Sequence, residues 1–193
     1  MWSNRFINAL DFALKLHAGQ KRKGSNISYA AHLFAVASIV LEHGAGEDET
    51  IAALLHDAVE DQGGIATLKE IRDWFGNIVA DMVYACSDTT ENPKPPWKIR
   101  KKAYLEHLAD APPSILLISA ADKLHNARSM LADYRLHKEK LWKKFAGKKQ
   151  GTLWYYHELI KTFRKASPPS PIDQIVDELE RVVLELNALV IKD

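Results

Sequence analysis

Apolar residues along this chain recur every three or four positions, and no run alternates apolar with polar as a half-buried strand would. Phe6, Ala9, Leu10, Ala13 and Leu16 mark an amphipathic helix capped near Ser3. After a polar loop, Gly19–Ser28, the positions of Leu33, Val36, Ala37 and Val40 predict a second helix from about Tyr29 to His43, stopped by Gly44. A third runs from about Asp48 to Val59. Thr67 and Glu70 have capping-box spacing, which predicts a short helix ending near Gly76, with another over Ile78–Cys86. Pro93, Pro95 and Pro96 make Thr89–Pro96 a loop. Beyond it, helices are predicted over Trp97–Leu108, Ser114–Leu131, Asp133–Phe145 and Thr152–Arg164. Ser167–Pro171 reads as a stiff connector, with Ser170 capping a closing amphipathic helix over about 171–191 and Pro171 in its first turn. The pattern predicts an all-α fold, a single compact domain of roughly eight to ten helices with no internal repeat.

Composition narrows the function classes. The chain has 193 residues, 47% apolar and 26% charged, which suits one globular domain with a sizeable core. Lys+Arg number 26 against 25 Asp+Glu, so no bulk charge points to nucleic acid or an acidic membrane. The basic segment Lys138–Lys149 carries only Trp142 and Phe145 as aromatics, at core-like spacing, and reads as a solvated helix face. Cys86 is the sole cysteine, which excludes an internal disulfide, and its apolar neighbours place it in the core. The N-terminus lacks the apolar stretch of a signal peptide, and no segment approaches the ~18–20 apolar residues of a membrane span. A soluble, cytoplasmic protein is expected, with no oligomeric state assigned.

One short stretch breaks the ordinary pattern. Directly after the apolar Ile51–Leu55, the chain reads His56-Asp57-Ala58-Val59-Glu60-Asp61. Carboxylates leaving a buried helix are costly unless something positive sits among them. His32, early in the second helix, and Asp122, inside the apolar run Ile115–Ala127, could close a shell around a cation with His56 and Asp57. Two imidazoles and two carboxylates suit Mn2+, Fe2+ or Zn2+ with open positions, and suit Ca2+ or a thiolate-seeking metal poorly. Each residue alone has a plainer reading, a satisfied buried histidine or an ion-paired aspartate. Their joint placement on helices with apolar faces favours a metal. Glu60 and Asp61 fall one turn after His56 and Asp57, where acids can orient a metal-activated water or take its proton. As mere caps they would oppose the macrodipole at a helix C-terminus.

These motifs resemble the HD-superfamily metal phosphohydrolases, and more narrowly the hydrolase domain of RelA/SpoT proteins and the stand-alone small alarmone hydrolases. The resemblance covers about Leu10 to Phe163 and includes LHAGQKRKG, YAAH, LLHDAVED, WKIRKK and ADKLHN. It implies a divalent ion, typically Mn2+, held by His32, His56, Asp57 and Asp122, with Glu60 and Asp61 as the catalytic acids. It further implies Arg22 stacking on the base, Lys23 at phosphate, Tyr29 and Asn126 lining the nucleotide, and Ser129 where long members often carry threonine. Lys98, Arg100, Lys101 and Lys102 either reach a distal phosphate or face water. Ser28–Leu33 lacks the two prolines usual around the first ligand, and no nucleotidyltransferase segment is present, so a self-contained hydrolase is expected.

The implied reaction is hydrolysis of (p)ppGpp to GDP or GTP plus pyrophosphate. An adenosine alarmone or another 3′-phosphorylated nucleotide is the near alternative, and an HD-type 5′-nucleotidase the next. A nucleotide-sensing module that performs no chemistry is the alternative from another class. It would have no use for Glu60 and Asp61.

Overall fold

The computed structural model describes residues 2–91, 93–166 and 170–192. The Ser167–Pro171 connector and the Ser170 side-chain cap rest largely outside the described residues. All regular structure among them is helical, apart from a single bridge between Lys21 and Ser28. The chain resolves into two compact units, Met1–Pro95 and Pro96–Asp193.

The first unit holds α1 (Asn4–Leu16), α2 (Ala30–Glu42), α3 (Glu47–Leu55), α4 (Ala58–Asp61) and α5 (Ile65–Cys86). Its centre is α3, which packs against α1, α2 and α5. The Glu49 carboxylate accepts from the Gly46 N–H at 2.7 Å, and three acids, Glu47, Asp48 and Glu49, occupy the positive first turn. Every residue from Thr50 to Leu55 is buried. A helix apolar on all sides belongs inside, and burying each Leu or Ile stabilises the unit by roughly 1.5–3 kcal/mol. That burial carries the next two residues, His56 and Asp57, inward as well.

The second unit holds α6 (Trp97–Ala109), α7 (Pro113–His137), a 3-10 segment (Lys138–Lys144), α8 (Lys148–Lys165) and α9 (Ser170–Lys192). α9 lies along α7 and α8, and α6 packs on α8. Arg128–Glu178 and Arg135–Glu185 pairs tie α7 to α9.

Ser3 caps α1 as expected, accepting from the Arg5 N–H at 3.1 Å, and Gly44 stops α2 with φ at +84°. Several boundaries differ. The third predicted helix is two: α3 ends at Leu55, and α4 begins at Ala58. The helix expected to open at Thr67 starts at Ile65, because the Thr67 hydroxyl reaches back to the Gln62 carbonyl rather than capping. At its other end the expectation holds: Gly76, whose φ of +86° only glycine adopts at little cost, leaves the helical conformation and sets a kink between the stretch that began at Ile65 and the one that ends at Cys86. The break expected after Leu131 is absent: with no Gly or Pro there, α7 continues to His137. Lys138, at φ +51°, ends it, and a 3-10 segment replaces the helix expected over Asp133–Phe145. Leu141 and Trp142 in that segment are buried while Lys138, Lys140 and Lys143 are exposed. Cys86, expected in the core, is half-buried at the end of α5.

Candidate metal centre and its acidic neighbours

His32 comes from the first turn of α2, His56 caps the C-terminal end of α3, and Asp57 is the residue from which α4 starts. Both histidines are almost fully buried, at 1% and 2% exposure. The Asp57 Oδ2 lies 3.0 Å from His56 Nε2 and 3.4 Å from His32 Nε2. One donor atom from each of the three residues falls within 4.8 Å of the others.

The donor chemistry fits a divalent cation. The His56 Nδ1 is 2.8 Å from the Ala53 carbonyl, which fixes Nδ1 as the protonated nitrogen and turns the Nε2 lone pair toward Asp57. Tyr29 donates its hydroxyl to Asp57 Oδ2 at 2.5 Å, which orients the carboxylate. An orienting bond behind the donor atom is what metal-ligating imidazoles and carboxylates ordinarily show.

Glu60 and Asp61 sit on α4, beyond a bend at Asp57 that remains close to helical, with the Asp61 N–H bonded to the Asp57 carbonyl at 3.0 Å. The one-turn relation of Asp61 to Asp57 is therefore present. Glu60 accepts from the Asp88 N–H at 3.2 Å and from the Lys94 ammonium at 3.0 Å. The same ammonium lies 4.0 Å from Asp61, whose Oδ2 accepts from Gln20 Nε2 at 2.8 Å. Burial, and then the charge of Asp57 and that of Glu60, push the Asp61 carboxyl up from the usual range; the Gln20 hydrogen bond and Lys94 pull the other way. A carboxylate raised in this way is better matched to accepting a proton near neutrality.

On the basic loop, the bridge between Lys21 and Ser28 and the Arg22 N–H to Ile27 carbonyl bond fold the chain back on itself. Arg22 places its guanidinium 5.7 Å from the centre of the Tyr29 ring, and Lys23 is exposed.

The remaining predicted residues belong to the second unit. Asp122 is buried on α7, at 6% exposure. Its Oδ2 accepts from Lys123 Nζ and its Oδ1 from Asn126 Nδ2, each at 2.5 Å. Burial alone would lower the Lys123 ammonium, but the Asp122 carboxylate and the Tyr104 and Tyr155 hydroxyls outweigh it and hold it well above the usual lysine range. Ser129, further along α7, bonds to the His125 carbonyl at 3.0 Å. Lys98 and Lys101 lie 5.5 and 5.0 Å from the Trp154 and Tyr155 rings.

Sequence reasoning did not single out Gln20, Lys94 or Lys123. Gln20 was visible only as part of a basic loop, and Lys94 as one residue of a proline-rich one. Neither loop has a period that says which way a side chain points.

A buried helix delivering a His-Asp pair to a second histidine, with two acids on the next turn, is the arrangement of an HD-type metal site. The chain belongs to the HD domain family, whose model matches residues 9–152. It is similar to the human guanosine-3′,5′-bis(diphosphate) 3′-pyrophosphohydrolase MESH1, 36% identical over 130 residues that span 65% of this chain and 69% of that protein. A crystal structure from Listeria monocytogenes EGD-e superposes with a TM-score of 0.67 at 32% identity, covering 84% of this chain and 99% of that one. A metazoan SpoT ortholog described as hydrolysing ppGpp shares the fold, with a TM-score of 0.75 at 23% identity over 94% of this chain and 96% of that one. The all-α expectation and the resemblance to RelA/SpoT-type hydrolases are both borne out. No helix among the described residues is long and apolar enough to cross a membrane.

Proposed function

We propose that this chain is a metal-dependent 3′-pyrophosphohydrolase acting on (p)ppGpp. The observation that carries the reading is the close group of His32, His56 and Asp57 with Glu60 and Asp61 on the following turn, in a chain homologous to MESH1. Water attacks the phosphorus bonded to O3′, the P–O3′ bond breaks, and the water's protons are shared between O3′ and the site's acids. The products are GDP or GTP and pyrophosphate. A divalent cation bound by His32, His56 and Asp57 supplies Lewis acidity toward phosphate and water. Mn2+ is the proposed ion, since a mixed imidazole and carboxylate donor set suits it; Fe2+ and Zn2+ suit the same donors.

The residues of this chain take the following roles in the proposal. Asp122 supplies a fourth ligand, a role supported by its burial on an apolar helix inside the stretch that the HD domain model matches. Glu60 and Asp61 orient the attacking water and accept its proton, supported by the raised Asp61 carboxyl. Arg22 stacks on the base, Lys23 meets phosphate, and Tyr29, Asn126 and Ser129 contact the nucleotide. The guanidinium already resting on the Tyr29 ring supports the first of these. The whole of 1–193 is proposed to work as one hydrolase domain, supported by a family match that runs through both compact units. The cytoplasm, where guanosine nucleotides are at hand, is the proposed location.

Incubating the pure protein with ppGpp and Mn2+ should release GDP and pyrophosphate in equal amounts, and a parallel adenosine substrate measures the base preference. No turnover of any 3′-phosphorylated nucleotide would sink the proposal. Glu60→Gln should lower kcat by roughly 10²–10⁴-fold while nucleotide and metal still bind. A sensor module would be indifferent to that change.

A further inference from the structure

Behind the acidic pair runs a chain of neutral polar side chains to which the hydrolase reading gives no work. His17, one residue past the end of α1, is buried at 2% exposure. Its Nδ1 is 2.6 Å from Gln20 Oε1. Gln62 Nε2 donates to the same oxygen at 2.5 Å, and Gln20 Nε2 donates to Asp61 Oδ2 at 2.8 Å. Because the Gln20 oxygen takes two donors and its nitrogen faces a carboxylate, the amide has a single workable orientation, and His17 must carry its proton on Nδ1. The His17 ring also stacks on Tyr29, with centroids 5.3 Å apart and planes 15° from parallel, and Tyr29 is the residue whose hydroxyl holds Asp57.

We propose that His17 and Gln20 are positioning residues: one buried imidazole braces Asp61 through the Gln20 amide and Asp57 through the stacked Tyr29 ring. The inference rests on the hydrolase reading above and adds to it what holds the acid and the ligand at fixed separation. Packing alone is a poor reason for these residue types. An apolar side chain fills a buried site of this size without the desolvation of an imidazole and an amide. The chain instead ends on the Asp61 carboxyl, and Gln62, next to Asp61 in sequence, closes it from the other side. Fixing such groups to within a fraction of an ångström is the work that supporting hydrogen bonds do around a reacting centre.

The test uses His17→Phe, His17→Asn and Gln20→Leu in the full chain. Phenylalanine keeps the stack on Tyr29 and removes the N–H; asparagine restores a donor close to the Nδ1 position. With ppGpp and Mn2+, His17→Phe and Gln20→Leu should each lose roughly 10–100-fold in kcat, with KM and bound metal little changed. His17→Asn, which restores the donor to Gln20 and loses the stack on Tyr29, should recover part of the loss.

Nitrogen NMR of the His17 ring gives a readout independent of turnover: the proton should sit on Nδ1 in the wild-type protein, and that preference should be lost in Gln20→Leu, which removes its acceptor. An unchanged tautomer in Gln20→Leu, or asparagine behaving no better than phenylalanine, overturns the relay. If the wild-type protein turns over no 3′-phosphorylated nucleotide, the hydrolase reading falls by itself and the tautomer measurement still decides the relay. Should His17→Phe fail to fold, Gln20→Leu, changed at a half-buried loop position, carries the decision.

Discussion

Two carboxylate sites in this molecule solve the problem of buried charge in opposite ways. On α7 in the second unit, Asp122 is met within its own helix by the Lys123 ammonium and the Asn126 amide, one partner for each oxygen. Lys123 in turn lies 5.0 Å from the centre of the Tyr104 ring, whose hydroxyl bonds to Ser119. Around α4 in the first unit, Asp57, Glu60 and Asp61 crowd together, and burial, then the charges of Asp57 and Glu60, displace the titration of Asp61 upward. Asp122, proposed above as a ligand, has a cation beside it before any metal binds, and that pairing steadies the fold. Acids that raise one another cost stability, and such sites are retained where chemistry needs them.

The comparison breaks most visibly through its central residues. Asp57→Asn should abolish stoichiometric metal binding and slow turnover about a thousandfold or more, roughly 4 kcal/mol on the barrier. In the metal-free protein the same change should leave the melting temperature no lower than wild type, because a repelled charge has been removed. Lys123→Met should do the reverse to the fold. It leaves the Asp122 carboxylate buried without its cation, and urea unfolding should report a loss of about 3–5 kcal/mol. Equal destabilisation by the two substitutions would show that the sites do not differ as described.

Lys94 tests how far the acids depend on a cation of their own. Its side chain is 43% exposed, so Lys94→Met should change stability by no more than about 1 kcal/mol. Turnover should fall several-fold, and the acidic limb of the pH–rate profile should move up, because the ammonium that favours ionised Asp61 has gone. The smallest effect is expected from Asp61→Asn on stability. The folded-state carboxyl of Asp61 titrates above its unfolded value, so at neutral pH its ionised form is a burden on the fold. As pH falls, the folded protein takes up this proton before the unfolded chain does, and wild-type stability gains. Metal-free Asp61→Asn should therefore melt slightly higher than wild type at pH 7, with the gap closing as pH falls through the folded-state titration of Asp61. A gap that widened on acidification would mean the carboxyl is lowered instead.

The helical framework was legible because its cause is local and periodic. The stripe of Phe6, Ala9 and Ala13, the all-apolar Ile51–Leu55 and the recurrence from Ile172 to Leu189 each state a helix and the face it buries. The group of His32, His56 and Asp57 was legible for a related reason, since an ionisable pair leaving a buried helix has to be answered by something nearby. Where a residue type is conformationally neutral the sequence misled: nothing at Ala132 or Asp133 demanded a break, and α7 did not make one.

Tertiary structure alone decided which polar groups meet across loops. Gln20 reaches Asp61 over 41 residues, Lys94 reaches Glu60 over 34, and Tyr29 reaches Asp57 over 28. No periodicity links such pairs, because loop side chains are aimed by turns and by the packing of the helices that the loops join. The sequence by itself determined that acids and imidazoles stand at the end of a buried helix. Only the folded chain, by burying Asp61 beside Asp57 and Glu60 and by bringing a phenol to Asp57, determined that Asp61 is raised and that Asp57 is held by Tyr29.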